Sequence, residues 1–160
     1  MNREKMIEDV KELLCHADWH KRYFSHMFRR FSTIDYWMRV ILALTSLTGV
    51  SLAATQYHLL GTFLAAGAAF LVANVLPILK WDTILTGFRE EQETWTRIYH
   101  GYDNLLRNME VAERDELLIL DFKRIKESQE KASLDERHLP VDQKILDQEE
   151  EAVRKFHALD

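Results

Sequence analysis

The sequence predicts an all-α membrane protein: a two-helix transmembrane hairpin attached to a cytoplasmic helical bundle. Three observations lead there. Residues 40–79 contain no Asp, Glu, Lys or Arg, although the rest of the 160-residue chain holds all 47 of them. A four-residue turn divides this apolar stretch into two runs of spanning length, and the polar remainder carries large apolar side chains at helical spacing with no strand pattern. Charge is segregated to match, with +2 over residues 1–39, zero over the middle and −7 over residues 80–160. An acidic balance argues against duplex nucleic acid as a partner, because affinity for a duplex comes mostly from neutralised phosphates.

Residues 1–36 are expected to form an N-terminal cytoplasmic amphipathic helix. Its end is aromatic, with Trp19, Tyr23, Phe24, Phe28 and Phe31 interleaved with Lys21, Arg22, Arg29 and Arg30. Aromatic and basic residues in this mixture can stack bases and hold phosphates, which makes the four cations candidate ligands for an anion or nucleotide. The same mixture also suits a helix lying on anionic headgroups before it enters the bilayer. The single cysteine, Cys15, has no partner for an intramolecular disulfide and reads as a small packed side chain. The first long apolar run begins near residue 37, after too many charged residues for a cleaved signal peptide.

Crossing a hydrocarbon core of about 30 Å takes roughly 20 helical residues. Residues 37–54 and 59–79 meet that length as first and second transmembrane helices, joined by an external turn at residues 55–58. Lys and Arg flank the outer ends of both runs and are missing from the turn, so both termini are expected on the cytoplasmic side. Gly61, Ala65, Ala68, Ala69 and Ala73 line one side of the second run, a small-xxx-small pattern that lets helix backbones approach closely. With Gly49 from the first run, Gly61, Ala65 and Ala69 form the expected transmembrane packing set. Thr45, Thr48 and Ser51 share another face, within about 120° of one another, and are the expected lining of any pore. Alternatively, their hydroxyls bond their own preceding carbonyls. Asn74 and Pro77 mark a bend or a helix end.

Residues 80–160 are expected to be a cytoplasmic helical region. Phe88, Trp95, Tyr102 and Met109 recur every seven residues, a seam that packs either within the bundle or between subunits. A further helix is expected near residues 114–137. After Pro140, Asp142 is placed to cap a last helix.

No constellation for catalysis is present, neither a phosphate-cradling glycine loop nor a nucleophile beside a base, so no catalytic residue, enzyme activity or cofactor is expected. His16 and His20 stand at i, i+4 but lack a clear third ligand, and no metal site is assigned. Lys123, Arg124 and Lys126 form a small basic patch, either a plain helix face or an anion site. The external turn supplies no carboxylate, so a pore formed here would be weakly selective.

The order of parts resembles the SLATT family: an N-terminal helix, a tight hairpin ending Leu79-Lys80-Trp81, then Trp95-Thr96-Arg97-x-Tyr99 in a long cytoplasmic helix and a shorter final one. That resemblance implies a membrane effector of prokaryotic conflict systems that perturbs the bacterial inner (plasma) membrane and arrests growth, in genomic company with nucleotidyltransferases. The chain is accordingly expected to be a pore- or channel-forming antiviral effector, gated through its cytoplasmic helices by a nucleotide or oligonucleotide signal or a partner protein. A hairpin alone cannot enclose a water path, so a homo-oligomer is required, with a tetramer as the starting expectation. The alternatives are a membrane-anchored interaction module without conductance and a holin-like lysis protein.

Overall fold

The computed structural model describes residues 3–53, 57–75, 80–111, 115–135 and 139–157. Every regular element among them is helical: α1 Arg3–Ala53, α2 His58–Phe70 continued by a π-helical turn Leu71–Val75, α3 Trp81–Val111, α4 Asp115–Asp135 and α5 Gln143–Phe156. Thr55 and Gln56 of the expected turn, Pro77, and the ends of both expected spans at residues 54 and 76–79 lie outside the described residues, as does the side chain of Asn74. No helix among the described residues is long and apolar enough to cross a membrane. The second apolar run is represented by the 13 residues of α2 and the five of the π turn.

The chain forms two compact units, one made of Met1–Phe28 with Gly87–Asp160 and the other of Arg29–Thr86. The divisions fall inside α1 and α3. The expected boundaries after residues 36 and 79 follow hydropathy, whereas these follow packing. No Gly or Pro lies between Arg3 and Thr48, so nothing in the backbone breaks α1 where its composition changes from polar to apolar.

The first unit is a four-helix bundle of the beginning of α1, most of α3, and α4 and α5. On α1 the buried residues Met6, Val10, Leu14, Ala17, His20, Phe24 and Met27 advance by three or four and so form one stripe. On α3 the stripe is Phe88, Trp95, Ile98, Tyr102, Leu105 and Met109. The two helices run antiparallel: the Arg3 guanidinium donates to the Met109 carbonyl, His20 lies on Trp95, and Phe24 meets Phe88 at 6.3 Å between ring centroids. From α4 come Leu118, Phe122 and Ala132, and from α5 Ile145 and Val153. Asp142 caps α5 as expected, with extended backbone and its Oδ1 accepting from the Ile145 amide at 3.4 Å. Its own amide donates to the Tyr23 hydroxyl at 3.1 Å, which ties the start of α5 to α1.

The second unit contains the remainder of α1, α2 with its π turn, and the first turn of α3. Phe31 packs on Trp81 at 5.2 Å, and Arg39 joins Asp35 at 2.8 Å and Asp82 at 3.3 Å. Lys80 takes a left-handed φ of 47° immediately before α3, and its carbonyl accepts the Ile84 amide.

Candidate functional site

In the second unit α1 and α2 meet through small residues. A Cβ added to Gly49 would stand 2.8 Å from the Ala65 backbone nitrogen and 2.9 Å from the Gly61 carbonyl oxygen, so the absence of a side chain is what admits α2. Gly61 and Ala68 are buried and Ala65 is partly covered, which places the contact face at positions i, i+4 and i+7. Ala69 is exposed, one step around the helix. The α1–α2 contact is therefore made by Gly49, Gly61 and Ala65 with Ala68, and not Ala69. At 100° per residue, Ala68 stays within a contact centred on Gly61 and Ala65 better than Ala69 does.

Away from this contact the unit presents apolar side chains outward. Fourteen of the nineteen large apolar residues exposed among those described belong to it, including Ile41 (59%), Leu44 (59%), Leu47 (66%), Leu59 (65%) and Phe63 (76%). Monomeric soluble proteins rarely leave so much contiguous apolar surface uncovered. Thr45 is half-buried, and Thr48 and Ser51 are exposed. Their hydroxyls donate to the carbonyls of Ile41, Leu44 and Leu47, four residues back, at 2.8, 2.8 and 3.0 Å. Each polar group is thus satisfied inside its own helix. Ser46 and Thr62 do the same on the carbonyls of Leu42 and His58.

The four candidate cations are not gathered into one site. Lys21 and Arg22 both turn onto Asp18, each at 3.0 Å, and Asp18 is only 2% exposed. Burial pushes the Asp18 carboxyl up, but the hydrogen bonds and charges of Lys21 and Arg22 outweigh it and hold the group below its ordinary value. Lys21 also sits 3.7 Å over the Tyr99 ring, and Arg22 lies 5.2 Å from the Phe156 ring. These two cations neutralise a buried carboxylate. Arg29 and Arg30 are exposed residues of the other unit. The aromatics between them are structural as well: Trp19 Nε1 donates to the Leu146 carbonyl at 3.1 Å, and Tyr23 and Phe24 are core residues.

The heptad seam is the centre of the bundle. Phe88, Trp95 and Tyr102 are fully buried and Met109 is 1% exposed, all against helices of the same chain. Beside the seam runs a polar chain that periodicity alone does not reveal. The Tyr102 hydroxyl donates to Gln129 Oε1 at 2.6 Å, Gln129 Nε2 faces His16 Nδ1 at 3.3 Å, and His16 Nε2 faces His20 Nε2 at 3.3 Å. An amide nitrogen can only donate, so His16 accepts at Nδ1, carries its proton at Nε2 and passes a hydrogen bond to His20. His20 stacks on Trp95 at 4.1 Å and 12°. Burial raises the Tyr102 hydroxyl far above its ordinary value, with the Glu130 charge adding to the effect, so it remains a donor. The i, i+4 histidines are thus packing and hydrogen-bonding groups. No cluster of three or more potential metal ligands occurs among the described residues.

Compared with known proteins, the chain matches no family model, no curated protein and no solved structure.

Proposed function

We propose that the chain is a membrane effector of the SLATT kind, a homo-oligomeric pore or channel of the bacterial inner membrane whose helical bundle controls it. The observation that carries this reading is the outward apolar surface of the Arg29–Thr86 unit. Side chains such as Leu47 and Phe63 are more than three-fifths exposed, within a stretch that has no formal charge from residue 40 to 79. Burying such a surface in hydrocarbon is favourable by about 25 cal/mol per Å² of apolar area removed from water, and lipid or further copies of the chain can supply the cover. Small residues at the α1–α2 contact and hydroxyls bonded within their own helix both suit a medium without water. In this reading Thr45, Thr48 and Ser51 face the path.

A second reading, an anchored module that conducts nothing, is favoured by one observation. The hydroxyls of Thr45, Thr48 and Ser51 are already satisfied by backbone carbonyls and need no water. Dye and ion leakage from liposomes containing the purified chain separates the two, beside a variant with all three changed to Leu. Leakage that the triple variant abolishes, with assembly intact, establishes a pore and its lining. Tight incorporation without leakage establishes the anchor. A chain that stays in the aqueous phase overturns both.

A further inference from the structure

We infer that the groove between α3 and α4 is a binding site for a small phosphate-bearing molecule. The cavity measures about 460 Å³ and is walled by two straight helix stripes. On α3 these are Arg97, Asn104 and Asn108, aligned at i, i+7 and i+11, and on α4 Asp121 and Arg124. Between them a Cβ on Gly101 would meet the Ile125 side chain at 3.3 Å, so α3 and α4 are in close contact there.

Pairing singles out the two arginines. In this unit Arg22 is bound to Asp18, Arg107 to Asp103 and Arg154 to Glu150, and Arg89 to Glu93, while Arg3 donates to the Met109 carbonyl. Arg97 and Arg124 form no ion pair among the described residues, and both open into the same groove. For Arg97 the local sequence explains why: Glu93, one turn before it, is already held by Arg89, and one turn after it comes Gly101. Arg124 has Leu120 and Ser128 four residues away, and it pairs with neither of the carboxylates three residues away, Asp121 and Glu127.

Two guanidinium forks from facing helices match a group with several anionic oxygens, because each fork can bind two of them. The Asn104 and Asn108 amides add neutral donors, and Lys123 and Lys126 raise the local positive potential within a region that is acidic overall. Asp121 disfavours a bare polyanion but accepts a hydrogen bond from a hydroxyl or amino group. The chemistry therefore selects a phosphate ester that also carries polar donors, of which a nucleoside polyphosphate is the simplest common form. The inference stands on this unit alone and does not depend on the membrane reading.

The test is calorimetric titration of the full-length chain with ATP and with inorganic pyrophosphate. The variants are Arg97→Gln with Arg124→Gln, and Arg154→Gln with Lys155→Gln as a control of equal charge change. Both arginines are exposed, so thermal unfolding should stay in place; Arg97→Lys with Arg124→Lys, which retains charge but loses the forks, gives a second reading. Saturable ATP binding weakened about tenfold or more by the groove pair, and by less than about twofold by the control, supports the site. Absence of saturable binding of either compound up to about 5 mM overturns it, as does equal weakening by both pairs.

Discussion

Tyr102 donates to Gln129 at 2.6 Å in the interior of the bundle, and this bond orients the amide that in turn faces His16. Tyr102 is fully buried and Gln129 is 8% exposed, so neither has water as a ready substitute. Gln129→Leu should cost about 1–3 kcal/mol by leaving a buried hydroxyl and an imidazole nitrogen without a partner. Tyr102→Phe combined with Gln129→Leu should cost less than the sum of the single changes. Chemical denaturation of the four proteins in a double-mutant cycle reads the coupling, and strict additivity would remove the polar chain from the account of the bundle.

Asp18 predicts an acid sensitivity. A carboxyl held below its ordinary value of 3.8 in the folded chain stabilises it at neutral pH. That contribution is complete above the unfolded value and disappears as pH falls through the lowered folded one. Asp18→Asn should lose stability at pH 7 and show a smaller difference from wild type near pH 2, followed by thermal unfolding at both. An undiminished difference at low pH would assign the loss to packing.

Gly49 and Gly67 offer an internal comparison. A Cβ on Gly49 meets backbone atoms at 2.8 and 2.9 Å, whereas one on Gly67 meets nothing within 4 Å. Gly49→Ala should force α1 and α2 apart and destabilise the pair. Gly67→Ala should be neutral or gain up to about 1 kcal/mol of helix propensity. Disulfide trapping between cysteines placed on the two helices, with thermal unfolding, measures both effects.

Seam residues and exposed leucines should separate cleanly. Phe88→Ala and Trp95→Ala remove fully buried aromatics and should each cost about 3–5 kcal/mol. Leu117→Ala and Leu120→Ala lie on an outward face, 62% and 65% exposed, and should shift stability by no more than about 0.5 kcal/mol. A large loss at Leu117 or Leu120 would reveal a partner on that face, read by the concentration dependence of unfolding.

Cys15 should be a slow nucleophile. It is half-buried, and burial, with the charges of Asp18 and Glu12 adding to it, raises its thiol above the ordinary value. Maleimide labelling at pH 7 is expected to be slow in the folded chain and fast in denaturant, and equal rates would place the thiol in the open.

The all-helical class, the heptad seam and the Asp142 cap were legible in the sequence because each rests on local periodicity or on one short hydrogen bond. Gln129 was not legible: a lone glutamine on a polar helix gives no periodic signal until the fold places Tyr102 and His16 on either side of it. The Arg97–Arg124 groove was half visible, since Arg124 belongs to a basic patch while Arg97 lies 27 residues away on another helix. Lys21 and Arg22 misled for the opposite reason. Their charges are plain in the sequence, but it is the burial of Asp18 that consumes them.

By itself, then, the sequence determined which segments are helical, where charge is excluded and which faces are apolar, because these depend on residues within a few turns of one another. The tertiary structure alone decided that the seam closes on helices of the same chain and that Ala68 takes the packing place of Ala69. It also decided which arginines keep their charge unpaired. Those outcomes depend on which distant residues share a contact, and that is set by how whole helices pack together.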